Sequence, residues 1–335
     1  MTCKEERKAG GRPPALGGRH GFKTSSYVED ALIERAKHGI FGYSDTQEVY
    51  FNAVAGWMER HHHWKIKEDW LIKTPGVVFA LAMAVKAFTK AGDSILIQQP
   101  VYYPFSEVIR DNDRVIVSDD LILGDDNRYH IDLADFEKQI VEHDVKLFLL
   151  CNPHNPSGRV FTKEELTGMG DLCVKHGVTV VSDEIHNDFV FRGEHTVFAS
   201  IKREFEDICV VCTSPSKTFN LASMMISNIF VPNKELRQKF QHQSMPRESA
   251  AGCTGTCATQ TAYEKGDEWY ENMLKYVWEN IAYVKKYVKD NMPGVNVIDG
   301  GGTYLLWLDF RGTGIDADEL DRRIIYDAKL CWTAE

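Results

Sequence analysis

Lys217 stands in the run Ser214-Pro-Ser-Lys-Thr-Phe-Asn220, just after an apolar stretch over 208–213 that reads as a strand. A lysine amine kept partly deprotonated by burial and neighbours forms an imine with an aldehyde cofactor, and the hydroxyl of Ser214 or Ser216 suits a phosphate oxygen. The same motif also describes a solvated lysine at a strand end. Ser182-Asp-Glu-Ile-His186 follows another apolar run, which brings Asp183 to the same sheet edge as Lys217. A carboxylate there keeps a pyridine nitrogen protonated, and His186 can donate to a ring oxygen. A helix N-cap for Asp183 and a solvated loop for His186 are the plainer alternatives. Asn152-Pro-His-Asn-Pro-Ser-Gly158 follows a third run, and its prolines and glycine make a rigid turn that fixes Asn155. Thr74-Pro-Gly-Val-Val78 opens a helical stretch running to Lys90, so the amides at that N-terminus offer a phosphate site or simply start a helix. An aromatic of Gln99-Pro-Val-Tyr-Tyr-Pro104 can stack on a planar ring or pack in the core.

These segments need a scaffold that brings several strand ends together. From about Glu29 onward, helical periodicity alternates with short runs rich in Val, Ile and Leu, the pattern of an α/β protein whose mostly parallel sheet is covered by helices. Strands are expected over 94–98, 114–118, 146–151, 178–182, 208–213 and 226–231. A helix is expected over 132–143, and Thr162-Lys-Glu-Glu165 is a capping box for a helix ending near Gly177. Beyond Glu248 a long helical region runs through Asn291, followed by strands over 295–298 and 303–310 and an amphipathic helix over 317–328. The expected domains are a cofactor-binding large domain over 22–293, with an N-terminal arm over 22–45, and a truncated small α+β domain over 294–335. Residues 1–21, rich in Gly, Pro and Arg, read as an atypical, disordered N-terminus.

Composition narrows the partners. With 335 residues, 43% of them hydrophobic and 26% charged, the chain reads as globular, and its net charge of -10 disfavours nucleic acid and anionic lipid. The eight cysteines are widely spread and follow no signal peptide, which points to reduced thiols and a cytoplasmic location. Neither Cys253 with Cys257 nor the run His61–His63 has a second ligand pair at zinc spacing, so no metal is expected. No apolar stretch is long enough to span a bilayer, so no membrane association is expected.

Taken together, Phe41-Gly-Tyr-Ser44, Pro100-Val-Tyr-Tyr-Pro-Phe105, Pro153-His-Asn-Pro-Ser-Gly-Arg159, Ser182-Asp-Glu-Ile-His186 and Ser216-Lys-Thr-Phe-Asn220 resemble the fold-type-I enzymes of pyridoxal 5'-phosphate. These form the aminotransferase class I and II superfamily, and the resemblance is closest to its MalY/PatB-type cystathionine β-lyase branch, over 22–330. It implies that Lys217 carries the cofactor as a Schiff base and shuttles the α-proton, while Asp183 pairs with the pyridinium nitrogen. Asn155 and His186 would address the ring hydroxyl and Tyr102 would stack on the ring. The amides of Gly76, Val77 and Val78, with Ser214 and Ser216, would hold the phosphate. Tyr43 would reach the cofactor of a second subunit, which implies a homodimer. The implied reaction splits a sulfur-substituted amino acid, such as cystathionine, into a thiol, pyruvate and ammonia.

Three departures qualify the resemblance. Many aminotransferases have an arginine eight residues after the lysine, where this chain has Met225, as the lyases commonly do. The family's arginine that clamps the substrate carboxylate lies in a small domain beyond Glu335, so its absence is expected to weaken and misorient substrate. Gly17-Gly-Arg-His-Gly-Phe22 replaces the usual Trp-Val-Ala-Asp-Met-Asp-Phe, as a frameshift would. The alternatives are a class I/II aminotransferase and a non-catalytic or regulatory protein that keeps the cofactor-binding scaffold.

Overall fold

Apolar runs along the chain become the strands of a seven-stranded sheet. The computed structural model describes residues 21–42, 48–244 and 252–330. Its strands are β1 (Leu71–Thr74), β2 (Ser94–Ile97), β3 (Val115–Ser118), β4 (Ile122–Leu123), β5 (Tyr129–His130), β6 (Leu147–Cys151), β7 (Thr179–Asp183), β8 (Cys209–Thr213), β9 (Ser227–Phe230), β10 (Asn296–Val297) and β11 (Leu308–Asp309). The large sheet has the order β1-β9-β8-β7-β6-β2-β3. Strands β3, β2, β6, β7 and β8 run parallel, while β9 is antiparallel to both β8 and β1. The mostly parallel sheet and its covering helices agree with the expected architecture.

Alternation within the central strands explains why both faces of the sheet are covered. In β6, Phe148 and Leu150 enter one hydrophobic cluster while Leu147, Leu149 and Cys151 enter the other. Val180 and Val181 of β7 divide in the same way, as do Val211 and Val210 of β8. Successive side chains of a strand point to opposite faces, so an unbroken apolar run satisfies two cores at once. Burying each such side chain stabilises the fold by about 1.5–3 kcal/mol. The helix Val77–Phe88 packs on one face through Val77, Ala80, Leu81 and Ala84. On the other, Trp57 from the helix Glu48–His62 stacks on Tyr263 at 5.0 Å.

The six strands expected between residues 94 and 231 are all present, with ends shifted by a residue or so. Strand β1 has no counterpart in the sequence reading, because Leu-Ile-Lys-Thr is short and only Ile72 and Thr74 are buried. The helix Lys163–His176 carries the capping box: Thr162 Oγ1 accepts from the Glu165 amide at 3.2 Å and Glu165 Oε2 accepts from the Thr162 amide at 2.9 Å. The helix Leu133–Glu142 starts on Asp132, whose carboxylate accepts from the Ala134 amide at 2.8 Å.

Other expectations are corrected. The long C-terminal helical region is two helices, Cys253–Lys265 and Asp267–Asn291, meeting at Gly266. The strand expected over 303–310 is confined to β11, since Thr303 takes a φ of 62° and its hydroxyl accepts from the Leu305 amide at 3.2 Å, bending the chain off the strand path. The helix expected over 317–328 is α-helical only over Ala317–Arg322 and continues as a π-helical turn over Arg323–Asp327. Of the irregular stretch expected over 1–21, residues 1–20 lie outside the described residues.

Candidate functional site

Register across the sheet creates the site. Cys151 of β6 stands opposite Asp183 of β7, and Asp183 stands opposite Cys212 of β8. The Asn152 amide donates to the Asp183 carbonyl and the Glu184 amide to the Cys212 carbonyl, both at 2.9 Å. The turn Asn152–Gly158, the segment Asp183–His186 and the turn Ser214–Lys217 therefore leave one edge of the sheet side by side. The carboxyl ends of parallel strands are where open α/β sheets bind ligands.

Lys217 lies on a single helical turn, Pro215–Thr218. Ser214 caps that turn: its hydroxyl accepts from the Ser216 amide at 3.1 Å and donates to the Ile226 carbonyl at 2.8 Å. Burial lowers the affinity of the Lys217 amine for its proton, and the negative charge of Asp183 opposes that effect only in part. Such an amine is primed as a nucleophile and base.

Asp183 is 4% exposed. Burial raises its carboxyl to about 7, against the Ile185 amide and the charge of Lys217, both of which favour the ionised form. Oδ1 accepts from the Ile185 amide at 3.1 Å, and no hydrogen bond reaches Oδ2 among the described residues. His186 is buried and held down to about 3, first by desolvation and then by the charge of Lys217, so its ring is neutral near pH 7. Its Nδ1 has no hydrogen-bond partner among the described residues. A buried carboxylate and a buried imidazole with spare capacity are what a polar, cationic heterocycle would satisfy.

The neighbouring turn is built as rigidly as its prolines suggest. His154 is buried within it, Nδ1 at 2.8 Å from the Ser157 hydroxyl and Nε2 at 3.1 Å from the Gln98 carbonyl. The Asn155 carbonyl accepts from the Tyr102 amide at 2.9 Å, which joins the turn to the aromatic segment after β2. Burial, then Tyr103 and Asp183, push the Tyr102 hydroxyl up to about 12. Gly158 closes the turn at a φ of +69°, and a Cβ on Gly300 would come within 2.5 Å of the Gly158 carbonyl carbon, so the two loops require glycines where they meet.

Gly76 precedes the helix Val77–Phe88, whose first turn holds no carboxylate. The Thr74 hydroxyl donates to the Gly76 carbonyl at 3.2 Å, and a Cβ on Gly76 would meet nothing within 4 Å. The helix start is thus open and electropositive, with Val77 buried and Val78 exposed. Met225 is exposed in a left-handed conformation at a φ of 51°. Tyr43 lies outside the described residues.

Two groups were missed in the sequence. Tyr304, expected in a strand, packs its ring 5.6 Å from that of His186, and burial followed by Tyr102 raises its hydroxyl. Nothing local marks it, since it comes from 118 residues downstream of His186 by the numbering. The second is a buried cluster around Asp188, only two residues past His186, where Thr218 donates to its carboxylate. Asp188 lies just outside the motif Ser182–His186, and its partner His62 sat in a histidine run considered only for metal.

Comparison with known proteins supplies a family. The family described as Aminotransferase class I and II matches residues 16–334. Cystathionine beta-lyase PatB of Bacillus subtilis is 41% identical over 312 residues, covering 92% of this chain and 80% of that protein. Cystalysin from Treponema denticola, whose crystal structure contains a pyridoxal 5'-phosphate cofactor, matches with a TM-score of 0.90 and 35% identity over 93% of this chain and 80% of its own. A C-S lyase from Staphylococcus hominis with the same cofactor bound matches with a TM-score of 0.86 and 30% identity over 92% of this chain and 79% of its own.

Proposed function

This chain belongs to the aminotransferase class I and II family, and we propose that it works there as a pyridoxal-phosphate-dependent carbon–sulfur β-lyase of the cystathionine β-lyase type. The carrying observation is the alignment of Asp183 with the Lys217 turn at the carboxyl edge of the sheet, both buried enough to shift their proton affinities. The cofactor fits these residues: an amine with lowered proton affinity, a carboxylate with a spare oxygen, and an open helix start free of acidic side chains. When bound, pyridoxal phosphate supplies an electron sink for the pair released at the substrate α-carbon.

The remaining work falls to side chains of this protein. Lys217 anchors the cofactor, then takes the α-proton on its amine, whose proton affinity burial lowers and Asp183 partly restores, so that the proton can be shed again. Asp183 keeps the ring nitrogen protonated, and a neighbouring cation would in turn draw its raised carboxyl back to the ionised form. His186 and Asn155 address the ring hydroxyl, and Tyr102 lies against the ring. The amides of Gly76, Val77 and Val78 hold the phosphate together with Ser214 and Ser216. The Ser214 hydroxyl, engaged with Ile226, must turn to donate to it.

The protein acts on a small amino acid as a homodimer in the cytoplasm, with Tyr43 reaching a second copy's site. Exposed Val78, Phe79, Tyr103 and Met225, close in sequence to site residues, suit burial against that copy. Six described cysteines are free thiols, as a reducing compartment maintains, and no described helix is long and apolar enough to cross a membrane. Residues 22–293 constitute the cofactor-binding domain and 294–335 belong to a second, smaller one.

Reconstituting the purified chain with pyridoxal phosphate is expected to produce a visible absorption band that Lys217→Ala abolishes. Supplied with cystathionine, the wild type should release pyruvate, and Lys217→Ala should lower that rate by roughly a hundredfold to ten-thousandfold. An oxo acid formed only when an amino acceptor is added would replace this reading with an aminotransferase. Cofactor binding without turnover of any amino acid would replace it with a non-catalytic protein.

A further inference from the structure

The turn that presents Lys217 is only four residues long, Pro215–Thr218, too short to hold a helical conformation by itself. Thr218, next to Lys217, is fully buried and donates its hydroxyl to Asp188 Oδ2. The other oxygen of that carboxylate, Oδ1, accepts from the Trp57 indole at 3.1 Å and lies 2.8 Å from His62 Nε2. The Asp188 carbonyl accepts from the Tyr270 hydroxyl at 2.7 Å. Groups from two helices besides the Lys217 turn thus converge on one residue, five positions past Asp183 and two past His186.

The His62 and Asp188 side chains are only 3% and 2% exposed. Burial pushes the Asp188 carboxyl up, but His62, Thr218 and Trp57 outweigh it and hold the group below its ordinary value. A second pair guards the other end of the segment: His195 Nε2 lies 2.8 Å from Glu184 Oε2, and Glu184 Oε1 accepts from the Ser182 hydroxyl at 2.9 Å and the Phe198 amide at 3.0 Å. The His62 and His195 rings meet edge to face at 5.6 Å. Residues 184–188, which carry His186, are therefore held at both ends by buried histidine–carboxylate pairs.

Buried polar and charged side chains stabilise folds poorly compared with apolar packing, so folding alone gives little reason for this arrangement. Its location supplies one. We propose that Asp188, backed by His62, is a positioning residue for the lyase site: through Thr218 it ties the Lys217 turn to the segment presenting Asp183 and His186, and so sets where the Lys217 amine stands. The inference rests on the reading of Lys217 as the cofactor lysine. Displacement of a reacting group by about 1 Å costs on the order of a hundredfold in rate, so a loosened turn should appear in chemistry before it appears in folding.

The test compares Thr218→Val, which keeps the shape and removes the hydroxyl, with Thr218→Ser, which keeps the hydroxyl. Asp188→Asn serves as the harsher variant and Lys217→Ala as the control for the underlying reading. For each, the rate at which cofactor-free protein captures pyridoxal phosphate is followed by visible absorbance, alongside the thermal midpoint and the kcat and KM for cystathionine. Thr218→Val is expected to slow capture and lower kcat by roughly tenfold, as loss of one hydrogen bond to a buried charge allows. KM should change by less than about twofold, and Thr218→Ser should restore both rates. A folded Thr218→Val that captures cofactor and turns over at wild-type rates, whatever its thermal midpoint, overturns the positioning role while leaving the lyase reading intact. A wild type that never develops a Lys217-dependent band overturns both.

Discussion

The segment around Asp183 and the one around Glu319 are both dense in acidic residues, yet they use them in opposite ways. In the first, Glu184 and Asp188 are buried, and their partners lie far along the chain: His195 eleven residues away, His62 126 and Trp57 131. In the second, Glu319 pairs with Arg322 and Arg323, and Arg322 pairs with Asp327, all within three to five residues and open to water. Long-range buried pairs fix how separate elements stand to one another and are costly to break singly. Local exposed pairs only reflect neighbours on a helix, where solvent and salt screen them. In this protein Asp183 and His186, both buried and both proposed for chemistry, flank or lie within the segment that pairs of the first kind hold in place.

The sharpest way to break that contrast is at Asp183. Asp183→Asn preserves the shape and the bond from Ile185 but removes the charge, and it should lower pyruvate release by roughly a hundredfold or more. A variant that keeps more than about a third of wild-type kcat would mean that burial at this edge is no guide to function.

A smaller effect should appear in the pH dependence of the cofactor-free protein. Burial raises Asp183 from 3.8 to about 7, so the stability it contributes is complete below 3.8 and is lost as pH rises through about 7. Burial lowers His154 to about 4 and His186 to about 3, so their contributions are present above 6.5 and are lost as pH falls through those values. The two slopes oppose each other. Thermal midpoints of Asp183→Asn should therefore gain on wild type as pH rises from 3.8 toward 7, and parallel curves would show that Asp183 does not titrate in this window.

Least of all should follow from Arg322→Ala, which removes exposed pairs with Glu319 and Asp327. No measurable shift in thermal midpoint or in kcat is expected. A clear loss of either would place this helix among the long-range anchors and erase the distinction between the two regions.

Much of this could be read along the chain because it is written at short range. Short apolar runs announced β6, β7 and β8, and Thr162 with Glu165 announced a helix start that the structure reproduces bond for bond. The strand ends also located Asp183 and Lys217 at a common edge, since a residue that follows a parallel strand has few other places to go. Strand β1 escaped because four residues with alternating burial carry too little signal, and its place beside β9 depends on a pairing across the whole domain.

Nothing local could have joined Asp188 to His62 and Thr218, or Tyr304 to His186. Periodicity, caps and turns are contained in spacings of two to four residues, so the sequence by itself determined the elements and the edge from which Lys217 and Asp183 project. Which distant side chains close around them depends on the order of strands in the sheet and on how helices pack across it. Only the tertiary structure decided that, because burial of a polar group is satisfied in space, with no regard to distance along the chain.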